Sequence, residues 1–190
     1  MVQVPEDTYE RFSKGEVEAM SALVDAYKNE LYNLCFRLTF NRQDAEDLFQ
    51  QTWIKAVKNA ERYEHRDFRP WLMRICINQY RDNLKEISRR KKHLVEEFET
   101  TSVKDYVLTN VGSGESVEDQ VERRHIQALL VAHIAKLPEH QKVPMVLFYY
   151  QRMKLSEIAA VLGVPEGTVK SRISIARSRL KGELERELYV

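Results

Sequence analysis

"LSEIAAVLGVPEGTVKSRI", residues 155–173, reads as a short helix, a glycine turn and a second helix. Ser156 is placed to cap the first helix, and Ala159 is small enough for two helices to cross closely. Gly163 suits a left-handed turn and Pro165 the first turn of the next helix. Val169, six residues after Gly163, returns to the same core. This is a helix-turn-helix pattern, which DNA binders share with bundles that never touch DNA.

The helix that follows Pro165 narrows the choice. With Val169 at 0° and about 100° per residue, Ile173, Ala176 and Leu180 fall within about 40° of it, a narrow buried stripe. Ser171, Ser174 and Ser178 lie opposite, with Lys170, Arg177 and Lys181 on one flank and Arg172 and Arg179 on the other. Small polar residues between two basic edges suit a helix in the major groove, edges on phosphates and middle near the bases. Residues near the helix N-terminus reach deepest. Glu166, Thr168, Lys170, Ser171 and Arg172 are therefore the expected readers, and Arg177, Arg179 and Lys181 the expected phosphate contacts. Ile175 faces outward, either to a thymine methyl or to a neighbouring segment.

The rest of the chain reads as helix as well. Six glycines and five prolines in 190 residues leave little room for β-turns, so the expected fold is all-α. Val17, Met20, Leu23, Val24 and Tyr27, then Leu31, Leu34, Cys35 and Leu38, have helical spacing and suggest two helices joined near Asn29. Asn41 is placed to cap a helix over 43–58, whose first turn carries Asp44, Glu46 and Asp47. Pro70 opens a long helix over 70–92. On it Met73, Ile77, Tyr80, Leu84 and Ile87 form a core stripe, and Asn78, Arg81, Lys85, Arg89 and Lys92 form a second stripe about 120° away. Helical spacing resumes at Val121 and stops at Pro138, while Pro144 inside "VPMVLFYY" predicts a kink or a helix start.

Charge is segregated along the chain although the net is only +1. Residues 1–30 hold seven acids against three bases, 62–92 ten bases against four acids, 93–122 eight acids against one base, and 165–181 five bases against one acid. Two basic blocks separated by an acidic spacer predict two contacts with a polyanion. The domains expected are 1–93, a flexible acidic linker over 94–119 that includes "TNVGSGESVEDQ", and 120–190 with the helix-turn-helix.

Several function classes find no support. Cys35 and Cys76 are flanked by apolar residues, which predicts buried reduced thiols and neither a disulfide framework nor a zinc site. The five histidines, His65, His93, His125, His133 and His140, are scattered, and no phosphate-cradling glycine loop or nucleophile motif appears, so no enzyme, metal, cofactor or small-molecule substrate is expected. No apolar run approaches the ~20 residues that span a bilayer, and the start of the chain lacks a secretory signal, which predicts a cytoplasmic protein.

"DAEDLFQQTW", "FRPWLMRICINQYRDNLKEISRRKK", "LPEHQKVPMVLFYYQRMKLSEIA" and "GVPEGTVKSRI", in this order over about residues 16–182, resemble the extracytoplasmic-function group of bacterial sigma factors. The resemblance implies a subunit that binds core RNA polymerase and directs initiation at promoters with −10 and −35 elements. It implies that Asp44, Glu46, Asp47, Leu48, Gln50 and Gln51 bind the polymerase clamp helices, with Gln51 standing where the family often has Glu. It implies a −10 contact in which Asn78 reads an extruded base and Arg81, Lys85, Arg89 and Arg90 hold the strand. The loop from Tyr63 to Arg69, including Phe68, would frame the base pocket, and Trp71 would belong to the core. The helix-turn-helix would read the −35 element, with Ser174 and Ile175 where relatives carry an aromatic or basic pair. An anti-sigma factor, often membrane-anchored, is implied as a further partner. The alternative is a helix-turn-helix repressor or activator, which has no need of the Asn78 stripe.

Overall fold

In the computed structural model, residues 4–64, 67–91 and 117–188 are described, and every regular element among them is helical. The helices are α1 (Glu6–Ser13), α2 (Val17–Thr39), α3 (Arg42–Lys58), α4 (Phe68–Lys91), α5 (Val117–Ala135), α6 (Glu139–Tyr149), α7 (Leu155–Leu162) and α8 (Glu166–Leu188), with a 3-10 turn at Ala60–Arg62. Helix α2 packs on α1, α3 and α4, helix α8 packs on α5, α6 and α7, and α2 and α4 also meet α6 and α7 respectively. Residues 94–116 of the expected linker, with Lys92, His65 and His93, lie outside the described residues.

Helix α2 corrects one expectation: it runs unbroken for 23 residues through Asn29. Asn29 is exposed, and an exposed Asn costs a helix under about 0.7 kcal/mol. Burial of Leu23, Leu31, Leu34, Cys35 and Leu38 along one side outweighs that penalty. Helix α1 was not foreseen; its Phe12 is buried against Tyr63, Phe68 and Trp71.

Of the two expectations for Pro144, a kink or a helix start, the helix start does not hold. Helix α6 starts five residues earlier, with Pro138 as its N-cap, and passes through Pro144. Val143, Pro144, Met145, Val146 and Leu147 are all buried there, so packing on every side offsets the one backbone hydrogen bond that proline removes. Ser156 lies inside the first turn of α7 and does not cap it. The Glu157 carboxylate instead accepts from the Lys154 backbone N–H at 2.7 Å.

The α4 stripe is buried at Met73, Ile77 and Tyr80, half-buried at Leu84 and 38% exposed at Ile87. Cys35 and Cys76 are buried free thiols on α2 and α4 with Sγ atoms 3.6 Å apart. Burial and the neighbouring thiol both push the Cys35 thiol upward, which keeps it protonated.

Candidate nucleic-acid interface

The helix-turn-helix is built as its residues require. Gly163 holds φ 66° and ψ 37° at the end of α7, and Ala159 O accepts from the Val164 N–H at 3.1 Å. Pro165 O then accepts from Thr168 N–H at 2.9 Å and Val169 N–H at 3.2 Å, which starts α8. Val169, Ile173, Ala176 and Leu180 are buried, the stripe read from the sequence. Glu166, Lys170, Ser171, Ser174, Ile175, Arg177, Arg179 and Lys181 are exposed, with Thr168 and Arg172 half-buried. Ser171 Oγ donates to Thr168 O at 2.9 Å, so its hydroxyl lies against the helix. Ile175 is 55% exposed and free of the domain core.

Helix α4 carries the second basic face. Asn78, Lys85, Arg89 and Arg90 are exposed, while Arg81 is half-buried and its Nε donates to Glu139 at 2.8 Å. Lys85 lies 3.6 Å from Asp82, and Arg90 bonds Glu86 one turn away. Both are surface pairs that a phosphate can displace at little cost.

Tyr63 and Phe68 are largely buried in an aromatic cluster, with ring centroids 5.4 Å apart and Trp71 at 5.2 and 5.3 Å from them, and both also line a cavity beside Asp67, Arg69 and Pro70. They hold the loop ahead of α4 from within, and burial pushes the Tyr63 hydroxyl up to about 12.

On α3, Asn41 Oδ1 accepts from the Asp44 N–H at 3.1 Å, the cap its sequence predicts. Asp44, Glu46, Asp47, Gln50 and Gln51 are exposed, and partial burial with the charge of Asp47 pushes the Asp44 carboxyl upward. Leu48 is fully buried, so its contribution to this face is packing behind it. The structure adds two residues that sequence reasoning missed: Ile54 and Val57 are 54% and 41% exposed. Each stands seven residues, two turns, after Asp47 or Gln50, and that spacing was the available signal. Gln51 Oε1 accepts from both Gln79 and Asn83 at 3.0 Å, and Lys55 pairs with Asp82 at 3.3 Å, so this face is tied to α4.

Among the described residues, no helix is long and apolar enough to cross a membrane. Residues 23–90 match the family Sigma-70 region 2, and residues 127–180 match Sigma-70 region 4. The chain is 34% identical over 175 residues to the ECF RNA polymerase sigma factor SigW of Bacillus subtilis, covering 90% of this chain and 91% of that one. It is 28% identical to the ECF RNA polymerase sigma-E factor of Haemophilus influenzae, covering 93% of each. Its fold is that of CnrH, solved with the cytosolic domain of CnrY, at a TM-score of 0.67 and 23% identity, covering 95% of this chain and 97% of that one. The sigma factor RpoE of Bartonella quintana, solved with the anti-sigma factor NepR, aligns at a TM-score of 0.68 and 21% identity, covering 89% and 98%.

Proposed function

The chain belongs to the extracytoplasmic-function sigma factors of the sigma-70 family, and on that premise we propose how its residues divide a sigma factor's work. Such a factor binds core RNA polymerase and directs promoter-specific initiation at −10 and −35 elements. The observation that carries the division is the pair of exposed basic faces, on α4 and α8, each backed by its own buried stripe.

The α1–α4 unit engages polymerase through Asp44, Glu46, Asp47, Gln50 and Gln51, extended by Ile54 and Val57, with Leu48 holding the helix in place from the core. Its α4 face takes the −10 strand: Asn78 reads a base drawn out of the stack, and Arg81, Lys85, Arg89 and Arg90 hold the backbone. The cost of extruding that base is a few kcal/mol, which a fitted pocket must offset. The α5–α8 unit reads the −35 duplex through Glu166, Thr168, Lys170, Ser171 and Arg172, with Ser174 and Ile175 close behind and Arg177, Arg179 and Lys181 on phosphates. The residues between 91 and 117 tether the units. The factor supplies recognition in the cytoplasm and the polymerase supplies the chemistry. The two structural relatives were solved with a cytosolic partner domain or an anti-sigma factor, which supports a partner of that class here.

Transcription in vitro with purified core polymerase tests the assignment. Promoter-dependent initiation is expected, and its absence on every genomic template favours a free-standing repressor or activator. Asp47→Ala and Ile54→Ala should each weaken core binding by about 1–2 kcal/mol without changing the promoter sequence selected, since truncations at interface centres cost that much. Lys181→Ala should weaken DNA binding across all sequences and lower the slope of log K against log salt by about one. Arg172→Ala should instead lower discrimination at one −35 position, by about 1–3 kcal/mol.

A further inference from the structure

Lys142 stands at the head of the buried run from Val143 to Leu147 on α6 and is itself only 8% exposed. Among the described residues, no hydrogen bond or ion pair holds its Nζ. The Glu139 carboxylate, one turn earlier, is taken by Arg81, whose Nε donates to it at 2.8 Å. The Phe40 ring, 5.8 Å away, stands at the outer limit of a cation–π contact. An ammonium carries three donors, and one withdrawn from water without acceptors loses its preference for the charged form. Burial accordingly pulls Lys142 down to about 8. Buried groups perturbed in this way gather where a chain performs chemistry.

Lys142 also lines a cavity of about 390 Å³, within the range of about 300–1,000 Å³ that small ligands occupy. The charged side chains around it are Asp44 and Asp47 of α3 and Glu86 and Arg90 of α4, three carboxylates against one guanidinium. That balance disfavours any product that adds negative charge. Tyr80 and Gln51, in the same lining, carry donors that a new carbonyl can use.

We infer that Lys142 is a modification site for small acyl donors of the acyl phosphate class, which enter through this cavity and leave a neutral amide on Nζ. The neutral amine attacks the acyl carbon, so a C–N bond forms and the C–O bond to phosphate breaks. Inorganic phosphate leaves with that electron pair, the surplus proton on nitrogen passes to solvent, and nothing is oxidised or reduced. The product suits the site, because an amide has no charge to desolvate. A phosphorylated or carboxylated lysine would instead set an anion beside Asp44 and Asp47, and an imine would return to the amine in water. Acylation thereby ties the level of the donor to the stability of the folded chain.

Magnitudes favour Lys142 over exposed lysines. At pH 7.5 about a quarter of it is neutral, against about a thousandth of a lysine at 10.5. Lower basicity weakens the nucleophile about tenfold, for a Brønsted slope like the ~0.4–0.5 of thiols. The net advantage is roughly tenfold.

The test treats the full chain with acetyl phosphate at pH 7.5 and follows each lysine by peptide mass spectrometry. Lys142 is expected to be acetylated about tenfold faster than the exposed Lys58 and Lys170, and no faster than they are once the chain is unfolded in urea. Between pH 7 and 9 its rate should level off while that of Lys170 goes on climbing. Ile87→Trp, which fills the cavity from its exposed edge, should slow Lys142 several-fold and leave Lys170 unchanged. Should that variant prove unfolded by circular dichroism, Ile87→Phe takes its place. Treated wild type should unfold at a higher urea concentration than untreated, whereas Lys142→Met should gain nothing from the treatment.

A Lys142 rate in the folded chain no higher than that of Lys170 overturns the inference. So does an advantage that survives in urea, since sequence neighbours and not the cavity would then be its cause. An unchanged rate with the cavity filled, a phosphoryl in place of an acetyl mass on Lys142, or equal urea midpoints before and after treatment would each overturn it as well.

Discussion

Lys142→Met is expected to stabilise the folded chain by about 3 kcal/mol at pH 7. Lys142 is only 8% exposed, and burial pulls its ammonium down to about 8, with the charge of Glu139 opposing the fall. A shift of that size from 10.5 corresponds to about 3 kcal/mol, at about 1.4 kcal/mol per pKa unit. The surrounding groups are Asp44, Asp47 and Gln51 of α3, Tyr80, Asn83, Glu86 and Arg90 of α4, Thr39 of α2, and Glu139 on its own helix, with the Phe40 ring 5.8 Å from Nζ. Methionine keeps the apolar stem and discards the charge.

The sign fixes the pH profile. Below about 8 the lysine is charged in both states and the folded chain bears the whole penalty. Between about 8 and 9 the folded lysine is neutral while the unfolded one is still charged, so wild-type stability should rise with pH across that window. Above about 9 the trend should level off and then reverse, because the Cys76 thiol and burial keep Cys35 protonated while the unfolded thiol ionises, and because burial pushes Tyr63 and Tyr80 up to about 12 so that the unfolded tyrosines ionise first. Urea unfolding at pH 7, 8, 9 and 10 reads this directly. The rise should vanish in Lys142→Met, and a wild-type stability that is flat from pH 8 to 9 would sink the prediction.

Leu147→Ala should cost about 3–4 kcal/mol, the middle of the range for a fully buried leucine whose site cannot collapse. Leu147 has no exposed surface and lies in the cluster that both units share, with its carbonyl accepting from the Met153 N–H at 3.2 Å. Because that cluster joins α2 and α4 to α6 and α7, one transition should shift as a whole in urea, followed by far-ultraviolet circular dichroism. Ile87→Ala is the contrast: the sequence places Ile87 in the same kind of stripe, yet it is substantially exposed and its loss should cost under about 0.5 kcal/mol. Equal losses for the two would contradict this account of the core.

The difference between Leu147 and Ile87 marks what the residues alone make legible. Periodicity reports which side of a helix is apolar, and it found Val169, Ile173, Ala176 and Leu180 without error. It does not report where the covering helix stops, which is why Ile87 was placed in the core. Local cap rules found Asn41 and Gly163, but at Ser156 a carboxylate three residues beyond Lys154 won the backbone N–H instead. Aromatic residues in a loop suit a base pocket or a core equally well, and Tyr63 and Phe68 went to the core because α1 supplies Phe12 and Tyr9 beside them.

The packing of α2 and α4 against α6 and α7 was invisible for a plainer reason. Its partners, Arg74 with Ala160 and Val161, Arg81 with Glu139, and Phe40 with Ala176, are separated by 58 residues or more, and no local pattern couples positions so far apart. Lys142 left one faint mark, a single charge in the apolar run "KVPMVLF".

Two of the contacts that α4 makes with the C-terminal helices differ in how substitution can change them. Glu139 is a side chain, and one codon change removes its hold on Arg81. Arg74 grips the main-chain oxygens of positions 160 and 161, which every amino acid carries. Substitutions in α7 can alter its surface freely while that grip persists. The contact of Arg81 is therefore open to adjustment by substitution at position 139, whereas that of Arg74 does not depend on the side chains at 160 and 161.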